Sequence, residues 1–493
     1  MRPLLPALAL MLTTAAPLHA EVTAGRVWQN WQDTAQAWGV TLQARSVTPG
    51  TDGLTLGGLG AELDLGLLGR VRVSAPELRL QEEADGAVSV QAGAPLAISH
   101  HAAFDDAGAD YALDIAIPRG QGRLRASGVP GGLRYDFTAP RLDWTGESRM
   151  SAMEAEEQAT PLQSGAMTGS AEEITAHWLA AEGADAGTGT GGYEAARTSR
   201  VLLRTSSDGT EIARDTALSE DHSGSLAIEA RDGRDLRLTG DIRRARLQTQ
   251  GTTLLPDIAE LPFLIETNDI SSSFAIADGR GDFDGRYGTS NLTVSLPGML
   301  PGPLEFSSDA MRTQLDLPYA PGPGGDTAEM RLESEALRAS EATWALVDPD
   351  AHIDRAPGRL LLDLGAAFTP VAPGAAPQVP GLPLALSQFE IRDLLVAFGG
   401  ATLTGAGALD IGTGADGLPE PVGTVSLALE NGLALLDALG QAGIVPQEQM
   451  FGIRMMLGVV ATRDGTGDRL TSEIGLLPGR SLSLNGVTMP GMP

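Results

Sequence analysis

The chain contains no cysteine, which excludes a disulfide framework, a thiol nucleophile, a thiolate metal site and an acyl anchor on an N-terminal cysteine. It contains no lysine either: all 34 basic residues are arginine, which removes Schiff-base chemistry and the P-loop, both of which need a lysine amine. Aromatics make up only 4% of the residues, too few for the girdles of an outer-membrane barrel. Basic residues are outnumbered 34 to 63, for a formal net charge of -29. Such a chain is repelled by phosphate backbones, so nucleic acid is not an expected partner. After residue 20 no apolar run approaches the roughly 20 residues needed to cross a bilayer as a helix.

Catalytic signatures fail in the same way. There is no Gly-x-Ser-x-Gly elbow for a serine hydrolase and no His-Glu-x-x-His pair for zinc. Two segments match Gly-x-Gly-x-x-Gly, at Gly187, Gly189 and Gly192 and at Gly412, Gly414 and Gly417. Neither sits between a strand and the N-terminus of a helix, where a pyrophosphate is held, and both read as hairpin loops. The aspartates in Asp278 to Gly285 lack EF-hand spacing, since the first and twelfth loop positions would be Arg280 and Asn291. They read as an acidic hairpin tip. His100 and His101 are adjacent and on a strand point to opposite faces, which prevents chelation of one ion. No catalytic residue, cofactor or metal site is therefore assigned. Paired carboxylates brought together by the fold keep one enzyme reading open, a carbohydrate-active hydrolase.

What is present begins with an export signal. Arg2, an apolar core from Leu4 to Leu12 and small or polar residues up to Ala20 predict a Sec-type peptide cleaved near Ala20, and hence a periplasmic protein. From Thr23 to Gly39, Trp28, Trp31, Ala35 and Trp38 recur at helical spacing, with Thr23 as N-cap; three tryptophans on one face are expected to pack as core. Beyond Gly39 the period becomes two. Val71 and Val73, Tyr111, Leu113 and Ile115, Leu133, Tyr135 and Phe137, Leu226 and Ile228, Leu315, Leu317 and Tyr319, and Leu360, Leu362 and Leu364 all alternate with small or polar residues. Asp-Gly pairs at Asp52, Asp85, Asp208, Asp232, Asp278, Asp284, Asp416 and Asp464 mark hairpin turns. With 62 glycines and 31 prolines, the expectation is a mainly β protein of extended, curved antiparallel sheets with a short N-terminal helix.

The division expected along the chain is a signal peptide over 1–20, a helix plus sheet over 21–146 and a low-complexity insertion or irregular edge over 147–198. A central sheet over 199–369, a proline-rich connector over 370–383 and a C-terminal β region over 384–493 follow. The last contains a helical hairpin, Leu433 to Ala442 and Glu448 to Ala461, broken by Gly443 and Pro446.

Several segments resemble an uncharacterised alphaproteobacterial family of exported proteins, domain of unknown function 2125. They are ATWALVDPDAHIDRAPGRLLLDL from Ala342, GATLTGAGALDI from Gly400 and NGLALLDALGQAGIVPQEQMFGIRMMLGVVA from Asn431, with DRLTSEI and LNGVTM after them. VWQNW near the N-terminus is similar too. The chain departs from the family at Ile353-Asp354-Arg355, where members carry a Leu-Pro-Arg-like turn. The resemblance implies an exported envelope protein, distantly similar to AsmA-type proteins whose curved sheets line an apolar groove. It transfers no activity.

The expected function is accordingly non-catalytic: an envelope protein that binds lipid or another apolar ligand in a β-sheet groove, with an envelope lipid or envelope protein as partner. Leu435, Leu436, Leu439, Met455 and Met456 of the helical hairpin are the candidate ligand surface. A structural partner in envelope assembly is the first alternative, and the hydrolase the second.

Overall fold

The structure, a computed structural model, describes residues 22–64, 69–104, 109–152, 160–230, 236–255, 258–318, 325–370, 384–414, 418–465 and 467–489. The export signal expected over 1–20, all of the connector expected over 370–383 but Pro370, which ends a strand, the Asp232 and Asp416 turns, and Tyr319 lie outside them.

Among the described residues, 27 strands belong to one sheet, and every pairing is antiparallel. The longest strands, Gly132–Ala152, Thr160–Ala181, Thr188–Ser206, Glu211–Glu229, Arg237–Leu255 and Ile258–Ala277, each pair with the next in sequence. This is the meander that closely spaced turns predict. Asp85, Asp208, Asp278 and Asp464 do stand at turns, each followed by a glycine with φ between 68° and 83°. The expected turn at Asp284 is corrected: Asp284 and Gly285 lie inside the strand Arg280–Tyr287. There the Asp284 carboxylate is held by Arg312 on the neighbouring strand at 2.6 Å, so the side chain serves the ladder and not a loop.

A second correction concerns 147–198. The described part of this stretch is central and regular: Thr160–Ala181 and Thr188–Ser206 are paired on both sides. Its small residues are a packing requirement. Gly189 lies beside the Trp178 ring, where a Cβ would stand 2.1 Å from Cζ2, and Gly169, Gly224 and Gly240 make room in the same way for Trp144, Tyr193 and Phe274. A ring laid over a cross-strand glycine covers backbone that would otherwise be exposed. The boundary expected at 198/199 also falls inside a strand, so the sheet runs through it.

Three of these strands carry a non-glycine residue in the left-handed region: Glu173 (φ 54°), Asp221 (φ 47°) and Asp269 (φ 51°). They occupy alternate strands, and the ladder skips around them, from Thr175 to Glu172, from Glu220 to Ser223 and from Arg244 to Arg246. Together they form a crease across the sheet. Each such residue costs about 1 kcal/mol or more.

The N-terminal helix forms as expected. Helix α1, Ala24–Ala37, starts at Thr23, whose side chain accepts from the Arg26 N–H. It lies on one face of the sheet and buries Val22, Ala24 and Val27 against Leu56, Leu80, Val88, Ala126, Leu133 and Ala180, with Trp28, Trp31 and Trp178 around them. Polar ties fix its angle: Asn30 accepts from the Tyr135 hydroxyl at 2.8 Å, and the Trp38 indole donates to the Gly187 carbonyl at 2.8 Å. The tryptophan stripe is packing.

Helix α2, Glu341–Val347, was not expected from periodicity, being two turns long. Ser340 caps it, Trp344 is buried and stacks on Phe398 at 6.2 Å, and the Arg355 guanidinium lies over the Trp344 ring. The following loop is organised by Asp348, which is fully buried and accepts from the backbone N–H groups of His352 and Ile353 at 3.0 and 2.8 Å. Burial by itself would raise the pKa of this carboxyl. The two backbone donors, with His352 and Arg355, reverse that and hold it below the ordinary carboxylate range. The sign follows: stability from this group is present above the unfolded value of about 4 and is lost as pH falls through the lower folded value. Asp348→Ala is expected to cost about 1–3 kcal/mol at neutral pH, with the deficit shrinking in acid, as urea unfolding at about pH 7 and about pH 3 would show.

Helices α3, Gly432–Gln441, and α4, Gln447–Val460, form the expected hairpin within about a residue of the expected limits. Asp468 accepts from the Leu433 and Ala434 N–H groups, replacing an N-cap side chain.

Candidate functional site

The five hairpin residues expected to form a ligand surface differ in burial. Leu436 is buried, and Leu435 closes with Ile353 on Gly399, where a Cβ would stand 2.7 Å from Leu435 Cδ1. Leu439 is half-buried. Met455 and Met456 point the other way and are 58% and 63% exposed, alongside Phe451 and Val459. Helix α4 is apolar on both sides, so sequence spacing by itself did not tell its inner face from its outer one.

A larger apolar surface is made by the sheet. Residues paired across a ladder share a face, so register can be followed from strand to strand. From Val88 the partners run through Ala126, Tyr135, Trp178, Gly191, Leu226, Gly240, Phe274 and Phe283. They continue through Leu315, Met330, Leu364, Ile391, Gly407, Val425, Ile474, Leu484 and Val487. No side chain in this row is charged, and its polar groups are the Tyr135 hydroxyl and the Trp178 indole N–H. A parallel row on the same face contains Leu133, Ala180, Gly189, Ile228, Leu238, Ile276, Gly281 and Leu317.

One residue along each strand, the opposite face is polar. Arg125, Asp136, His177, Gly192, Ser225, Asp241, Ser273, Asp284, Gln314, Arg331 and Asp363 pair in succession. Ion pairs lace this side: Arg312 with Asp284, Arg331 with Asp363, and Arg392 with Glu329. Arginine hydrogen bonds hold Asp284 and Glu329 below the usual carboxylate range. A hollow of about 350 Å³ lies here, lined by Asp282, Asp284, Asp316, Glu329 and Asp363. A glycosidase acid needs a raised pKa, the reverse of what neighbouring arginines impose. Two of the three aspartates of 278–285 are also occupied by arginine, Asp278 by Arg237 and Asp284 by Arg286 and Arg312. His100 and His101 fall on the strand Leu96–Phe104, and among the described residues no group of three metal-ligating side chains occurs.

The apolar face is hollowed where the long strands cross it. A cavity of about 380 Å³ is lined by Leu124, Tyr135, Phe137, Ala176, Trp178, Tyr193, Leu226, Ile242 and Phe274, together with His177, Ser225 and Asp241. Helix α1 packs at one end of this face, over Leu133 and Ala180. On the side of the crease the apolar surface meets three polar groups. Tyr193 shares a hydrogen bond of 2.8 Å with His222 Nε2, and the Arg244 guanidinium approaches the same nitrogen at 3.5 Å. Burial, then repulsion from Arg244, pulls the His222 pKa down to about 4, so the imidazole is neutral at neutral pH. Nε2 then accepts from Tyr193 and the proton sits on Nδ1, which is buried without a partner. Alternation in the sequence pointed to one apolar face, but nothing in it singled out these three residues.

No helix among the described residues is long and apolar enough to cross a membrane. Among curated proteins none matches the chain. A solved structure it is similar to is the alcaligin outer membrane receptor FauA from Bordetella pertussis, at 10% identity over 94% of this chain and 88% of that one; the TM-score of 0.16 leaves this likeness without argument. Residues 291–484 match the family model described as an uncharacterized protein conserved in bacteria, DUF2125. That stretch, from Leu315 to Leu484 of the apolar row and with helices α2, α3 and α4, is where the chain resembles this family.

Proposed function

We propose that this protein is a non-catalytic component of the bacterial envelope that binds the acyl part of a lipid along the apolar face of its sheet. The single observation that carries the reading is the run of apolar residues from Val88 to Val487, joined strand to strand by register and covered by α1 only at one end. Most of these side chains are half-buried, and an apolar surface of that extent marks a binding surface in a protein that has to stay in solution. The export signal read from the sequence of residues 1–20 supports a periplasmic setting for this binding. The test is organic extraction of protein purified from its native periplasm, with the extract analysed by mass spectrometry. Acyl lipid at a fixed ratio to protein is expected. A lipid-free protein that also fails to take up a fluorescent fatty acid removes the reading.

A second reading, an assembly partner, is favoured by one observation: Phe451, Met455, Met456 and Val459 form an exposed apolar stripe on α4. A protein retained by the wild-type chain and lost on Met455→Asp, with fatty acid uptake intact, would assign α4 to that role.

A further inference from the structure

We propose that Arg244, Tyr193 and His222 form an anchor for the anionic head of a single-chain amphiphile whose tail lies over Trp178, Leu226 and Phe274. The inference rests on the acyl-binding reading and narrows its ligand class to chains ending in a carboxylate or phosphate.

Three observations converge on this site. The first is charge. Arg244 lies on the apolar face, since its neighbours two and four residues back, Ile242 and Gly240, pair with Gly224 and Leu226. Among the described residues it has no carboxylate within 4.0 Å. Arg45, Arg119, Arg123, Arg204, Arg359 and Arg463 share that property, but they are exposed, whereas Arg244 is half-buried. An uncompensated guanidinium beside an apolar surface is complementary to a desolvated anion and to little else. Asp241, which borders the hollow, belongs by register to the opposite, polar face, where it is engaged by the Ser225 hydroxyl and by Arg243.

The second is polarity at the correct end. Tyr193 and Ile242 belong to the hollow, while the Tyr193 hydroxyl, His222 and Arg244 stand at its crease side. A ligand with one polar terminus meets one polar terminus of the site. Neutral His222 adds no second positive charge and, by accepting from Tyr193, keeps the phenol from wandering over the apolar floor.

The third is backbone strain in the same place. Asp221 precedes His222, and Asp269 precedes Ile270, the strand partner of Arg244. Both hold positive φ, conformations that persist where surrounding structure imposes them and that cluster at ligand sites.

The experiment uses the full mature chain and two fluorescent probes, cis-parinaric acid and its methyl ester. Wild-type protein is expected to bind the acid about tenfold more tightly than the ester, a charge-assisted contribution of ~1.4 kcal/mol. Arg244→Gln is expected to bring the acid down to the affinity of the ester, and Arg244→Lys to keep part of the preference, with circular dichroism unchanged in both. Displacement of the acid probe by dodecanoate and by dodecyl phosphate, compared with dodecanol, separates the two head groups from a neutral one. Equal binding of acid and ester by the wild type, or an acid preference that survives in Arg244→Gln, overturns the anchor while leaving acyl binding standing. If neither probe binds the wild type, acyl binding itself falls and the anchor with it. Should Arg244→Gln fail to fold, the wild-type probe comparison and the dodecanol control decide the question.

Discussion

Leu226→Asp is expected to weaken binding of cis-parinaric acid by about 100-fold, equivalent to ~2.7 kcal/mol, whereas Ala227→Asp on the same strand is expected to change it by less than about twofold. Leu226 lies in the apolar row between Gly191 and Gly240 and lines the hollow. A carboxylate there has to be desolvated whenever an acyl chain covers it. Ala227 pairs with Thr190 and Thr239, on the opposite, polar face. The two variants differ by one position and carry the same added charge, so a global electrostatic effect on an anionic probe would lower both. Equal losses in the two, by fluorescence titration, would place the ligand somewhere other than the apolar face.

Val27→Asp is expected to cost at least ~3 kcal/mol in urea unfolding, the scale for an unpaired charge forced into a packed core. Val27 is fully buried where α1 meets Leu56, Leu80, Val88 and Leu133. This is the thickest apolar packing in the described protein. Most of the sheet presents half-buried residues on one layer, so stability is concentrated where a helix covers it. The neighbouring change Arg26→Ala provides the contrast. Its guanidinium pairs with Glu182 at 2.7 Å, with both side chains about a third exposed, and such pairs contribute less than about 1 kcal/mol. Comparable losses for the two variants would mean that α1 is held by its polar ties. Limited proteolysis of Val27→Asp should cut first within 22–40, exposing the end of the apolar face that α1 covers.

Local chemistry made much of the architecture legible. Alternation at Leu133, Tyr135 and Phe137, at Leu226 and Ile228, and at Leu360, Leu362 and Leu364 specified strands with one apolar face, because the pleat reverses side-chain direction at every residue. Thr23 and the tryptophan spacing specified α1, and Gly443 and Pro446 the break between α3 and α4. The family likeness was readable in the same C-terminal segments that match the family model.

Other features depended on partners distant in sequence. The small residues of 165–191 resemble low complexity until Trp144 and Trp178 are seen lying over their glycines. Asp284-Gly285 reads as a turn until Arg312, 28 residues away, is seen holding the carboxylate. The inner and outer sides of α4 were set by what the helix rests on. Each strand, by its own pattern, specifies which residues share a face. Only the ladder register decides that those faces join into one row from Val88 to Val487, and that Tyr193, His222 and Arg244, from three strands, meet at its margin. Alternation is a property of one strand's geometry, whereas juxtaposition across strands is a property of pairing, which no single segment encodes.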